Sequence, residues 1–289
     1  MFSPALLLAL GAIVMWASLA ALGAALAHVP PFLLTGLGLL AGSVVALPLA
    51  RFDLRQLIVP GRTLAVGVYG LFCYHFLVFT ALQLAPPVEA NLINYLWPLG
   101  IVLLAPVFLP GVRVTRAHVA AALMGFAGAA VAILGRGRGG GAFSMDARTL
   151  IGFACALAAA FNWASYSLLT KRLAMTGRGF PTAAIGGFGL ISGLLSLACH
   201  ALMEPAATLS ARDWGLIALL GLGPLGGSFF LWDAALKRGD ARQIGVLAYL
   251  TPLLSTFLLL WSTRQAMNWN VALATALILA AAALGTRSK

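Results

Sequence analysis

Between Arg62 and Arg113 the chain runs for fifty residues with one formally charged side chain, Glu89. Runs of this kind recur along its whole length. Apolar windows bounded by charges or by Pro and Gly fall at roughly 4 to 27, 30 to 50, 63 to 84, 88 to 108, 117 to 135, 149 to 170, 180 to 202, 213 to 236, 243 to 261 and 268 to 286. Each is close to the ~20 residues a helix needs to cross hydrocarbon. No soluble core of 289 residues requires 62% hydrophobic residues with only 9% charged. The mean hydropathy of +1.00 agrees. The expected fold is therefore an all-α membrane protein of ten transmembrane helices with short loops and no soluble domain. The first window resembles a signal peptide at Ala25, Leu26 and Ala27. It lacks a preceding Lys or Arg and is longer than an h-region, so it reads as a permanent helix.

The formal charge of +11 would point to nucleic acid in a soluble protein, but its placement assigns it to topology. With a cytoplasmic N-terminus, inside segments hold 13 of the 18 basic residues and outside loops hold 5: Arg136, Arg138, Arg148, Arg212 and Arg264. That bias puts both termini in the cytoplasm of a multi-pass protein of the cell (inner) membrane, with the lipid bilayer as partner and no nucleic acid. Cys73, Cys155 and Cys199 fall inside spans at no metal-ligand spacing, and read as small packing residues. No motif for a metal, cofactor or catalytic group stands out, and nothing bears on oligomeric state.

One tract breaks the composition, the Gly/Arg-rich segment at 135 to 143. It divides the chain into an N-terminal unit over 1–135, an extracellular linker over 136–148 and a C-terminal unit over 149–289, with five spans in each unit. At an offset of 154, Tyr95, Leu96, Pro98 and Leu99 meet Tyr249, Leu250, Pro252 and Leu253, and Ala81 and Leu82 meet Ala235 and Leu236. "WAS" at 16 to 18 recurs at 163 to 165. An odd number of spans per unit turns the second copy upside down, the inverted-repeat plan of secondary carriers around a central cavity.

The same residues carry a family resemblance. "FTAL" at 79 to 82 and "DAAL" at 233 to 236, each followed by a helix with a mid-span proline, resemble the EamA repeat of the drug/metabolite transporter superfamily over nearly the whole chain. "YHF" at 74 to 76 and "NYLWPLG" at 94 to 100 are similar to its YddG-type aromatic amino acid exporters. The resemblance implies an exporter of small metabolites. The Gly-Glu pair that ends the fourth and ninth helices of many EamA repeats is absent, those places reading "LPGVR" and "STRQA", as in a divergent subgroup.

Asn91, Asn94, Tyr95 and Pro98 share one helix face at i, i+3, i+4 and i+7. Pro98 frees the carbonyl of Asn94, and a freed carbonyl inside lipid must be satisfied by side chains, water or a ligand. This face reads as a cavity wall or, alternatively, as a kinked packing helix. Trp97 lies off it and has either a cavity or a lipid setting. The second unit repeats Tyr249 and Pro252, so Pro98 and Pro252 are candidate hinges. Tyr74, His75 and Phe79 come from the third span. His75 is the histidine deepest in a span: it is bonded to a helix neighbour, or it donates to a substrate carboxylate or gates with pH. Asn162, Trp163 and Tyr166 on the sixth span and Phe229 on the eighth complete the candidate substrate-binding set. Trp16 and Trp163 lie near mid-bilayer depth, where an indole suits a flat solute or simple packing. Glu89 reads as an acid at a helix N-terminus, and Asp233 as an i, i+4 partner of Lys237 snorkelling to the cytoplasmic face. Gly38 with Gly42, Gly189 with Gly193 and Gly223 with Gly227 read as close-packing pairs.

The leading expectation is a non-enzymatic secondary transporter exporting amino acids, aromatic ones first, by alternating access. Asn94, His75 and helix carbonyls would hold the amine and carboxylate, and Tyr74, Tyr95 and Trp163 the side chain. The alternative is an exporter of drugs or other metabolites of the same superfamily. An intramembrane enzyme would need clustered acids and bases, and the seven acids and four histidines are scattered.

Overall fold

The computed structural model describes residues 3–134, 146–263 and 269–287. Most of the expected linker, with Arg136, Arg138, Arg264 and Lys289, lies outside those residues. Every regular element among the described residues is helical. α1 (Pro4–Ala25), α2 (Pro31–Leu49) and α3 (Gly61–Leu84) lead into a broken pair, α4 (Pro87–Asn94) and α5 (Trp97–Phe108), and then α6 (Arg116–Leu134). The second unit has α7 (Ala147–Met175), α8 (Ala184–Met203), α9 (Ala211–Arg238), another broken pair, α10 (Ala241–Leu247) and α11 (Leu250–Thr263), and α12 (Trp269–Arg287).

Local chemistry sets the helix starts. Ser3 accepts from the Leu6 N–H ahead of Pro4, Asp146 accepts from the Thr149 N–H at 2.8 Å, and Ser210 with Asp213 forms a capping box. That Thr149 N–H bond holds the Asp146 carboxyl below its ordinary value. Pro31 and Pro87 open α2 and α4, where the missing N–H costs nothing. Among the described residues seven stretches are long and apolar enough to cross a membrane: α1, α2, α3, Glu89–Phe108, α7, α8 and α9. Arg116–Val131 and Trp269–Gly285 are shorter apolar helices. Large apolar side chains face outward, Val14 at 60%, Val107 at 73% and Leu202 at 86% exposure, as a chain solvated by lipid requires. The chain is a multi-pass membrane protein.

Two irregularities recur at the offset of the sequence repeat. α3 widens into a π turn at Tyr69–Cys73, and α9 does the same at Gly223–Gly227, 154 residues on. The break between α4 and α5 at Tyr95 is matched by the break between α10 and α11, where Tyr249 stands. Pro98 and Pro252 therefore sit in the first turn of a new helix, not in the middle of a kinked one.

Packing pairs the units. α1 runs along the second half of α9, and α7 along the second half of α3. α2 packs on α8, and α6 on α12. At the α2–α9 crossing a side-chain carbon on Gly42 would lie 2.7 Å from the Gly226 Cα, so only glycine allows that approach. Gly189 and Gly193 also sit against α2, but Gly223 faces open space, its role being in the π turn and not in packing.

Candidate functional site

The helices enclose a cavity of about 440 Å³ displaced toward one end of the bundle. Its lining comes within two to four residues of the helix ends at Gly23, Leu34, Leu82 and Asn91. Toward the opposite end, nine to fourteen helical residues lie beyond the lining, ~14–21 Å of protein at 1.5 Å per residue. The cavity is thus a vestibule with a thick floor.

Tryptophans make that floor. Trp16, Trp97 and Trp163 line the cavity, with ring centroids 5.8 to 6.4 Å apart and interplanar angles near perpendicular. Trp232 backs them, 5.1 Å from Trp16 and 5.6 Å from Trp97, and its Nε1–H donates to the Ser167 hydroxyl at 3.1 Å. Edge-to-face contacts of this kind each add about 0.5–1.5 kcal/mol beyond buried area. Trp97, only 5% exposed, belongs to this cluster and not to the lipid face. Tyr74 and Phe229 pack on Trp163 at 5.1 and 5.6 Å and carry the aromatic wall upward.

The polar groups on the walls leave defined valences. His75 Nδ1 lies 2.6 Å from the Leu71 carbonyl oxygen. A carbonyl can only accept, so Nδ1 carries the proton and Nε2 of the neutral ring is an acceptor. The expected donation from His75 to a carboxylate would therefore require the charged ring. Asn94 donates through Nδ2 to the Tyr74 hydroxyl at 3.2 Å, which leaves the phenolic proton available. Asn94 Oδ1, Thr35 Oγ1 and Thr251 Oγ1 are buried without a partner. No Asp, Glu, Lys or Arg contributes to the lining among the described residues.

Of the predicted site residues, Tyr74, His75, Phe79, Asn91, Asn94, Tyr95, Trp97, Trp163, Phe229 and Pro252 line this cavity. The others lie elsewhere. Tyr249 is 0% exposed, packed against Ala129, Leu253 and Ile278 and across Gly125. Asn162 donates to the Tyr69 carbonyl at 3.0 Å, bracing the first π turn. Tyr166 fills the space left by Gly70 and packs on Trp163 at 5.4 Å. Pro98 is buried where α5 meets Gly245 of α10. Asp233 and Lys237 do not snorkel to the surface; their side chains are 3% and 16% exposed.

The structure adds Thr35, Thr251 and Ser255 to the polar lining. Thr251 carried a signal, since it stands 154 residues after Trp97 in the repeated Tyr-Leu-x-Pro-Leu motif. Thr35 is a lone hydroxyl in an apolar run and carried none.

The sequence profile of the EamA-like transporter family matches residues 3–134 and again residues 150–287. A curated "Aromatic amino acid exporter YddG" of Ancylobacter novellus is 43% identical over 287 residues, 98% of this chain and 97% of that protein. The protein of the same name from Salmonella typhimurium is 28% identical over 76% of this chain and 73% of its own length. An "Uncharacterized transporter in sor 3'region" of Acidianus ambivalens is 27% identical over 75% of this chain and 79% of its own. A crystal structure at 43% identity superposes with a TM-score of 0.91, covering 98% of this chain and 96% of that one.

Proposed function

The chain belongs to the EamA-like transporter family, and on that premise we propose that it exports amino acids, aromatic ones foremost, across the cytoplasmic membrane by alternating access. In this reading ten helices form two inverted five-helix repeats, and both termini are cytoplasmic. The 154-residue recurrence of π turns and breaks, and the exchange of packing partners between units, support the inversion. The vestibule then opens to the outside, and the tryptophan floor closes the cytoplasmic side.

One observation carries the substrate class: a ligand-sized cavity with an aromatic wall and, among the described residues, no charged side chain in its lining, but with unpartnered polar atoms of both senses. A zwitterion fits such a wall without leaving a net charge behind. The ammonium would donate to Asn94 Oδ1 and His75 Nε2. The carboxylate would accept from the Tyr74, Thr35 and Thr251 hydroxyls. An aromatic side chain would lie against Trp163 and Phe229. Phe79, Asn91, Tyr95 and Trp97 contribute shape, and the breaks at Pro98 and Pro252 flex between states. Asn162, Tyr166 and Tyr249 would act in the opposite-facing state, when the second unit presents its own face. A cationic drug has no acid to meet here, which disfavours the drug-exporter alternative. The name of the 43% identical relative points the same way.

Counterflow in proteoliposomes tests the reading. Preloaded phenylalanine or tryptophan should drive saturable uptake of the labelled amino acid, with competition by other aromatic amino acids. Flux that does not saturate, or that toxic cations but no amino acid compete for, would reject it.

A further inference from the structure

Beneath the tryptophan floor, one short region ties the closed end together: the end of α9 and its turn into α10. Lys237 Nζ donates to the Phe180 carbonyl in the α7–α8 connector at 2.8 Å and to Asp233 Oδ2 at 2.6 Å, and sits 4.0 Å over the Phe180 ring. Thr182 of the same connector donates to Asp233 Oδ2 at 2.7 Å. Lys171 of α7 reaches back to the Gly239 carbonyl at 2.7 Å. Arg242, oriented by Asp240, donates to the Arg113 carbonyl after α5. Among the described residues three cations thus cross from one element to a loop carbonyl on another at the end where the cavity is shut, while at the open end Arg148 reaches the Gln83 carbonyl at 3.2 Å.

The pair at the centre of this arrangement is unusual in its setting. Asp233 is buried and Lys237 only partly so, at 3% and 16% side-chain exposure, and Asp233 Oδ1 has no partner. A buried pair that leaves one oxygen unsatisfied is a poor device for raw stability. It is well suited to a contact that must break. Its positions have counterparts in the first unit at the same offset of 154: Asp233 corresponds to Phe79 and Lys237 to Gln83. The opposite end therefore cannot form the same ion pair when it closes. The asymmetry lies between two halves that otherwise share π turns and helix breaks.

We propose that Asp233 and Lys237 are positioning residues of the inner gate, holding the α7–α8 connector against α9 and biasing the empty protein toward the state closed at this end. The proposal rests on the carrier reading above. The first-unit counterparts close the outer end by apolar and neutral contacts, so substrate loading from the inside has to break the pair while the return step re-forms it.

The test uses the full chain in lipid nanodiscs with Cys73, Cys155 and Cys199 replaced by Ala and with Ser167→Cys. Ser167 is 0% exposed, bonded to Trp232 beneath the floor. Maleimide should alkylate the introduced thiol slowly in this parent. Asp233→Asn and Lys237→Met should each accelerate alkylation about tenfold, equivalent to about 1.4 kcal/mol of gate opening. The double variant Asp233→Asn with Lys237→Met leaves no lone buried charge, so it should fold even if a single variant does not, and should react equally fast. Arg148→Met removes an exposed inter-element bond, to the Gln83 carbonyl at 3.2 Å at the open end, and should not accelerate the reaction. Unchanged rates in the double variant, or equal acceleration by Arg148→Met, would overturn the proposal. Alkylation needs no substrate, so failed counterflow with an intact alkylation response would remove the carrier reading alone.

Discussion

The carbonyl of Leu71 decides what His75 offers the cavity. By accepting the Nδ1–H hydrogen bond at 2.6 Å it makes the other ring nitrogen an acceptor, which suits His75 to the ammonium and not the carboxylate of the proposed substrate. His75→Phe keeps the ring shape and removes the acceptor. The half-saturating tryptophan concentration in counterflow should rise about tenfold, about 1.4 kcal/mol, with folded yield unchanged. Equal affinity in the variant would remove His75 from the site. Tyr95 and Tyr249 make the complementary case. The repeated motif presented them as equals, yet one lines the cavity and the other is sealed at 0% exposure. Sequence periodicity tells which face a residue shares; it does not tell which of two inverted halves is open. Tyr249→Ala should destabilise by about 3–5 kcal/mol, the range for a buried aromatic truncated to Ala. A thermal midpoint in detergent equal to that of the parent would contradict its packing role.

At the scale of elements, the prolines marked the neighbourhood of the breaks after Asn94 and before Leu250, but as kinks within one helix and not as the first turn of a new one. The π turns were not, since one extra residue per turn leaves no compositional mark beyond glycine. Their recurrence 154 residues apart emerges only in three dimensions. The first is held from outside by Asn162, and its Gly70 gives room to Tyr166: a carbon added there would lie 2.2 Å from the Tyr166 ring. Gly70→Ala should therefore lower stability by about 1–3 kcal/mol through overpacking. Asn162→Leu should cost a similar ~1–3 kcal/mol by leaving the Tyr69 carbonyl without its donor. Midpoints of thermal unfolding in detergent check both, and an unchanged midpoint in either would show that the turn does not depend on that contact.

For the molecule as a whole, the apolar windows carried the membrane class, and the motif spacing carried the two matching units. The vestibule's location was not legible. It depends on four tryptophans from α1, α5, α7 and α9 meeting in one cluster, and no single helix encodes that meeting. In the proposed reading, the tight floor and the cross-loop cations belong to one of the two states between which the carrier alternates. The central claim is that an aromatic amino acid occupies the vestibule above that floor. The most direct measurement is a crystal structure with 5-bromotryptophan, read by bromine anomalous scattering. A bromine peak is expected against Trp163 and Phe229, with the ligand ammonium toward Asn94 and His75. A saturating soak with no peak in the vestibule, or a peak only in the lipid-facing groove between Val14 of α1 and Phe257 of α11, would contradict it.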